Sequence, residues 1–494
     1  MSVQTPALLV TVPLLAASLA AASGLTRRAA GFYLAALGLA AAVGCAVDLV
    51  VRVAVEGPVD YFHSGWPPPW GIAYRVDHLN AVVLLVVSAA ALANLISAKK
   101  MVDETQGTKA NTFYAVYVLA VCGLLGMVVT ADAFNLYVLL EISSLSGYAL
   151  LARGGDRAPL AVLNYVLLGT IGASFYLLGV GFLYIKTGTL NMSDLAVRMT
   201  PLYESPAISA AFLLILVGLW LKSAFFPLHL WLPQAYTHGN TAAVGLFAPL
   251  MTKVMIFIMI RFMVTVFTPY FAFVSLDLAD LIVWLATAAV VAGALLALAQ
   301  KDFKKMLSYV IVTEVGYMIG GAWLGNRAGM TGAVLHVLFD ALMTLCVFLA
   351  VAAISYRIKS MRIQDFQGLF GRMPLTMSGL AVGALSIIGV PPACGFWSKW
   401  YLVSGAIQAG HWPFAVVLLF SSLVAVVLFF RVFEIAFFEP ANAGGHGHGP
   451  VRRREAPWSM ILPLWVTAGA LIAAGFLTGP LVRTFVEPAI GSPL

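Results

Sequence analysis

Seven ionisable residues interrupt long apolar stretches of this 494-residue chain: Glu141, Lys222, Lys253, Glu314, His336, Asp340 and Lys399. A Lys or Asp at the centre of a membrane helix costs ~2.5–3.5 kcal/mol, so the six Lys, Asp and Glu groups together would cost on the order of 15–20 kcal/mol if each stood alone in lipid. They must pair, neutralise or face internal water. Low dielectric disfavours the charged form of acid and base alike, and groups held near the point of losing charge can pass protons. His336, Asp340 and Thr344 follow one another at i, i+4 and i+8, a polar stripe on one face of an otherwise apolar helix. Such a stripe suits a hydrated half-channel, although His336 alone could equally serve an interhelical hydrogen bond. Glu141, opening the stretch EISSLSGY, could anchor two helices through Ser143 and Ser144.

The elements that must hold these groups are membrane helices. Of all residues 61% are hydrophobic and only 10% charged, against roughly 25% charged in a soluble domain. Apolar runs recur with short polar punctuation, each near the ~20 residues needed to cross a ~30 Å hydrocarbon core. They predict an all-α integral membrane protein of about 14 transmembrane helices. The first run, following MSVQTPALLV without a basic leader, is read as a retained span. With the N-terminus outside, the even count places 17 of the 28 Lys and Arg residues in cytoplasmic loops and 7 on the opposite side. The formal charge of +7 therefore reflects topology rather than nucleic-acid binding. Arg431 and Glu434, near a helix end, are expected to form an i, i+3 pair.

Two spans carry proline where a continuous helix would not. Pro227 and Pro233 interrupt LWLKSAFFPLHLWLP, and Pro391 and Pro392 interrupt IIGVPPACGFWSKWYL. Proline removes an intrahelical hydrogen bond, and irregular backbone at membrane depth is tolerated where it lines a cavity or is buried in protein. Each break has a lysine nearby, Lys222 five residues before Pro227 and Lys399 seven after Pro392. Interrupted helices at corresponding positions point to an internally repeated transporter. The expected organisation is an N-terminal three-helix segment (1–110), a first five-helix repeat (111–270), an inverted second repeat (271–440), and a cytoplasmic loop with a final helix (441–494).

The four cysteines, Cys45, Cys122, Cys346 and Cys394, lie far apart and offer neither a CxxC site nor a disulfide framework. His446 and His448 sit in a glycine-rich linker that reads as flexible polar chain. No phosphate-binding loop, dinucleotide fingerprint or metal-ligand cluster is present. The expectation is a chain with no cofactor, no metal and no catalytic centre of its own, driven by an ion gradient or by partner subunits.

The stretches GWPPPWGIAYRVDHLNA, TADAFNLYVLLEISSLSGYALLA, LKSAFFPLHLWLPQAYTHGNTAAVGLFAPLMTKVMIFIMIRF, KDFKKMLSYVIVTEVGYMIGGAW and LSIIGVPPACGFWSKWYL resemble the antiporter-like family shared by Mrp-type multisubunit cation/proton antiporters and the large membrane subunits of respiratory complex I. GWPPPWGI and the length look most like the D-subunit branch of the Mrp antiporters. The resemblance implies that Glu141 is the family's fifth-span glutamate, Lys222 the lysine of the first broken helix, Lys253 the next helix's lysine, His336 a member of the central polar axis and Lys399 the base of the second broken helix. It further implies an ion pair between Glu141 and Lys222 whose opening pushes a proton through Lys253 and His336 to Lys399. Implied partners are other membrane subunits of an antiporter or a complex I-like assembly; the implied ions are H⁺ and Na⁺, and the membrane that of a bacterial cell. Glu314, Asp340 and Thr344 depart from the family's pattern and suit either an additional relay or a cation site.

Overall fold

The computed structural model describes residues 4–24, 30–438 and 454–490. His446, His448, Arg27, Arg28, Arg452 and Arg453 lie outside the described residues. The chain is built almost wholly of helices: α1 Thr5–Ser23, α2 Ala30–Glu56, α3 His78–Gln106, α4 Ala110–Val129, α5 Ala133–Leu151, α6 Ala158–Thr187, α7 Met192–Met199, α8 Pro206–Ser223, α9 Trp231–His238 and α10 Thr241–Arg261. There follow α11 Ala279–Leu298, α12 Phe303–Trp323, α13 Arg327–Ile358, α14 Pro374–Ile388, α15 Cys394–Gln408, α16 Trp412–Phe438 and α17 Trp458–Phe476. Among the described residues, eleven stretches are long and apolar enough to cross a membrane, one of them running from His78 to Val129 through both α3 and α4. This is a multi-pass membrane protein.

Helix starts are marked by short polar side chains that accept from otherwise unpaired backbone N–H groups. Asp132 caps α5 through the N–H of Asn135 at 2.7 Å, and Asn240 caps α10 through Ala242 at 3.1 Å. Asp302 caps α12 through Lys305 at 3.0 Å and Asn326 caps α13 through Gly329 at 2.8 Å. The starts of four of the six helices that carry the unusual charges are thereby fixed; α8 and α15, the two with lysines beside breaks, have no such cap.

Both predicted breaks are present. Helix α8 stops at Ser223, Ala224 takes the left-handed conformation (φ 57°), and the helix resumes at Trp231. Helix α14 stops at Ile388, Gly389 turns the chain at φ 93°, where a side chain would be strained, and α15 resumes at Cys394. Pro227 and Pro392 each follow a cis peptide bond. Pro233, expected at the first break, instead occupies the third position of α9. A helix tolerates proline in its first turn because the N–H groups there have no intrahelical acceptor.

Nearly all of Thr241–Val266 and most of Arg327–Ile358 is buried inside the protein, so α10 and α13, which pack on each other, form the centre. Around them the two sets of helices pack alike. In the first, α4 contacts α5, α5 contacts α6, α6 contacts α8 and α9, and α10 returns to α4. In the second, α11 contacts α12, α12 contacts α13, α13 contacts α14 and α15, and α16 returns to α11. Exposed Leu, Val, Ile, Phe and Trp on α2, α6 and α16 present the apolar exterior that lipid requires.

Among the local features, two were not foreseen from the sequence and one departs from the sequence-based reading. The 54–77 connection forms a hairpin, β1 Val59–Phe62 against β2 Ala73–Val76. The segment before α8 contains the short helix α7. Arg431 and Glu434 do not pair; Glu434 is exposed and Arg431 half-buried, and a solvated pair at a helix end gains little.

Candidate proton-translocation axis

The seven residues fall into four neighbouring groups. In the first, the Lys222 ammonium on α8, only 1% exposed, lies 3.7 Å from the Glu141 carboxylate on α5. It donates to Ser144 Oγ at 2.8 Å and to Tyr148 OH at 3.5 Å. Glu141, Ser144 and Tyr148 follow at i, i+3 and i+7, one helix face turned toward the break. The Glu141 contact is long for a direct ion pair and the Ser144 contact is short. Lys222 is thus held chiefly by neutral oxygens, with the carboxylate poised beside it. The break behind it is filled by Trp231, whose Nε1–H donates to the Leu221 carbonyl at 2.9 Å and whose ring stacks on Tyr165 at 4.0 Å.

In the second group Lys253 Nζ on α10 meets Asp340 Oδ2 on α13 at 2.8 Å. Lys253 also donates to the Ala248 carbonyl at 3.2 Å and Thr344 Oγ1 at 3.4 Å, while Thr344 donates to Asp340 Oδ1 at 2.9 Å. Two of the three residues that depart from the resembled pattern, Asp340 and Thr344, therefore form the seat of Lys253. Asp340 is a direct partner to a buried cation, which explains how the chain tolerates both.

In the third group His336, one turn before Asp340, makes a short contact from Nε2 to the Glu314 carboxylate on α12, and its Nδ1 is 2.8 Å from Ser398 Oγ on α15. His336 and Asp340 are fully buried. In the fourth, Lys399 donates to the Ile387 carbonyl at 2.6 Å and to Ser422 Oγ at 3.2 Å. The Ile387 carbonyl is one that the break before α15 leaves without a helical donor, so the lysine satisfies the irregular backbone. Lys399 stands 5.0 Å over the Tyr317 ring, which is also 5.4 Å from the His336 ring.

Each broken helix thus carries a lysine seated over a tyrosine, Tyr148 or Tyr317, from the second helix of its own set. Those tyrosines, with Ser398 and Ser422, were not singled out from the sequence, whereas Ser144 was read there only as a helix anchor. Their signal is spacing, since Tyr148 stands seven residues after Glu141 and Tyr317 three after Glu314. His229 was likewise passed over; it lies two residues beyond Pro227 and is buried, with neither ring nitrogen hydrogen-bonded. Lys304, assigned to a cytoplasmic loop, is in fact the second residue of α12 and is buried.

Residues 130–425, more than half the chain and all four groups, match the family model described as NADH:quinone oxidoreductase/Mrp antiporter, transmembrane. The chain belongs to this family. Among curated members of the NADH:quinone oxidoreductase/Mrp antiporter family, it is 41% identical to NADH-quinone oxidoreductase subunit N of Desulforudis audaxviator over 99% of both chains. It is 29% identical to the D-type subunit of the Na⁺/H⁺ antiporter of Bacillus subtilis over 81% of this chain and 80% of that one. A chain of the membrane-bound sulfane sulfur reductase, an archaeal respiratory membrane complex, superposes with a TM-score of 0.89 at 28% identity, covering 98% of this chain and 97% of that one.

Proposed function

We propose that this protein is the proton-translocating subunit of a multisubunit Na⁺/H⁺ antiporter, moving protons along an axis from Glu141 through Lys222, Lys253 and His336 to Lys399. The observation that carries the reading is the set of buried acid–base contacts strung along the enclosed α10 and α13 and their neighbours, where isolated charges would be costly. When Glu141 approaches, Lys222 is favoured as a cation; when it withdraws, the ammonium keeps only neutral partners and its proton is released more readily. Lys253 and Asp340 form the next station. His336 can accept on one nitrogen while donating from the other, which suits it to pass a proton between Glu314 and Ser398. Glu314, Asp340 and Thr344 act as additional relay partners.

The matching pair-by-pair packing of the two helix sets supports fourteen spans with two inverted five-helix repeats over 111–270 and 271–440. The N-terminal segment 1–110 and the C-terminal 441–494 flank them, both termini lie on the non-cytoplasmic side, and the membrane is that of a bacterial cell. Partner subunits complete the complex. A second reading has its own support in the 41% identity to a quinone oxidoreductase subunit: the same axis would serve as the pump module of a redox-driven assembly. Purifying the assembled complex, identifying its subunits and assaying Na⁺-dependent proton movement in vesicles separates the two. Loss of proton movement in Lys222→Ala and Glu141→Ala complexes that still assemble supports the axis; unchanged movement overturns it.

A further inference from the structure

A cavity of about 930 Å³ opens on the face that carries the basic loops, where α3, the α5–α6 connection, the start of α10 and the end of α13 converge. Six cationic side chains line it, Arg153, Lys304, Arg357, Lys359, Arg372 and Arg454, against one carboxylate, Glu104. That carboxylate is engaged by the Tyr356 hydroxyl at 2.9 Å. An excess of cations in cytoplasmic loops is ordinary, but Lys304 is not in a loop. It is 6% exposed, its ammonium donates to Thr241 Oγ1 at 2.6 Å, and among the described residues no carboxylate lies within ion-pair distance of it. Burying a cation without a counter-charge is costly. The buried lysines of the axis, by contrast, each have either a carboxylate or two or more oxygen acceptors.

Beyond ion-pair distance Asp302 offers Lys304 some opposite charge, but the other groups around it add positive potential. Thr241 is the first residue of the 21-residue α10, whose N-terminus carries about half a positive charge. The backbones of Arg372 and Arg454, both of which line the cavity, are joined by the hydrogen bond from the Arg454 N–H to the Arg372 carbonyl at 2.8 Å. A buried ammonium and several guanidiniums around one water-accessible space are a donor set that binds phosphate groups; the α10 N-terminus contributes its dipole, since Asn240 already accepts from the Ala242 and Ala243 N–H groups. We propose that this cavity is a binding site for a phosphate-bearing anion, with Lys304 and the α10 N-terminus at its floor and Arg372 and Arg454 at its rim. The ligand is either free phosphate or the headgroup of an anionic phospholipid; the chemistry recognised is the same.

Two arms distinguish the sources, and neither depends on transport. Radiolabelled orthophosphate is titrated at low salt against the purified full-length protein in detergent, and phospholipid retained from phosphatidylglycerol-containing membranes is read by native mass spectrometry. Saturable orthophosphate binding identifies free phosphate; retained phospholipid without it identifies the headgroup. In either arm Lys304→Met and the Arg372→Gln/Arg454→Gln double variant should weaken binding by about tenfold or more. Arg75→Gln, whose side chain is outside the cavity, should leave it unchanged. The double variant alters only half-buried or exposed side chains, so it tests the site even if Lys304→Met does not fold. Absence of saturable binding in both arms, or variants that bind like the parent, overturns the proposal.

Discussion

Lys222 and Asp340 separate two meanings of a buried charge. Lys222 has Ser144 and Tyr148 as partners and Glu141 at 3.7 Å, and under the proposed function its burial serves proton transfer rather than stability. Replacing buried ionic groups with apolar ones of similar size is often neutral or stabilising. Lys222→Met should therefore leave the thermal midpoint in detergent unchanged or raised while proton movement in vesicles falls by at least about tenfold. A parallel loss of both would mark Lys222 as scaffold. Asp340 is different, because removing it strands Lys253 in a closed interior. Asp340→Asn should destabilise by about 3–5 kcal/mol, and the Asp340→Asn/Lys253→Met double variant by less than the single one. Denaturation of the four proteins of this cycle reads the sign of the coupling directly; additivity would mean that the 2.8 Å contact does not hold the two charges together.

The broken helices work only because their neighbours come close. On α6 and α8, Gly172 and Gly218 face each other, and a Cβ added at Gly218 would meet the Gly172 carbonyl oxygen at 2.6 Å. Gly218 is one turn before Lys222, on the same face. Gly218→Ala should cost about 1–3 kcal/mol by overpacking and displace Lys222 from Glu141, lowering proton movement without touching a charged group. A thermal midpoint equal to the parent's would show that the α6–α8 contact can open freely. The breaks themselves were readable in the sequence because proline and a nearby lysine recur together at matching positions; proline alone does not decide it, since Pro13, Pro249 and Pro463 lie inside continuous helices. So were Glu141, Lys222, Lys253, His336 and Lys399, since an ionisable residue in such a run has few bland explanations. Their partners were so only in part. Ser, Tyr and Thr are common on membrane helices: Ser144 and Thr344 stood out by their spacing from Glu141 and Asp340, but only the approach of α12 to α15 selects Tyr317 and Ser398, and only that of α5 to α8 shows which lysine Ser144 holds. Lys304 was misplaced because a charge one residue inside a helix looks like a loop charge until the neighbouring helix ends are seen to cover it.

The N-terminal helices are fastened to the centre of the molecule by polar pins rather than by apolar contact alone. Asn94 on α3 donates to the Ala242 carbonyl at the start of α10, and Arg261 at the other end of α10 forms a two-pronged pair with Asp77, the N-cap of α3, one contact at 3.1 Å and the other shorter. Asp77 also accepts from the backbone N–H groups of Leu79 and Asn80. Burial pushes the Asp77 carboxyl up, but the Arg261 charge and these hydrogen bonds outweigh it and hold the group below the usual carboxylate range. A carboxyl depressed in the folded state contributes stability that is present above its unfolded pKa and lost as pH falls through the folded value. The pin should therefore be at full strength at neutral pH and weaken below about pH 4. Asp77→Asn should lower the thermal midpoint at pH 7, and the gap from the parent protein should close as the pH is taken below 4, because the parent then loses the same charge. Arg261 ends the enclosed helix that carries Lys253, so the same variant should also loosen the frame of the axis, seen as faster amide exchange at the Asp77 end of α3 and the Arg261 end of α10. A gap in midpoint that stays constant with pH would show that Asp77 acts only as a helix cap and that α10 is held by its apolar packing.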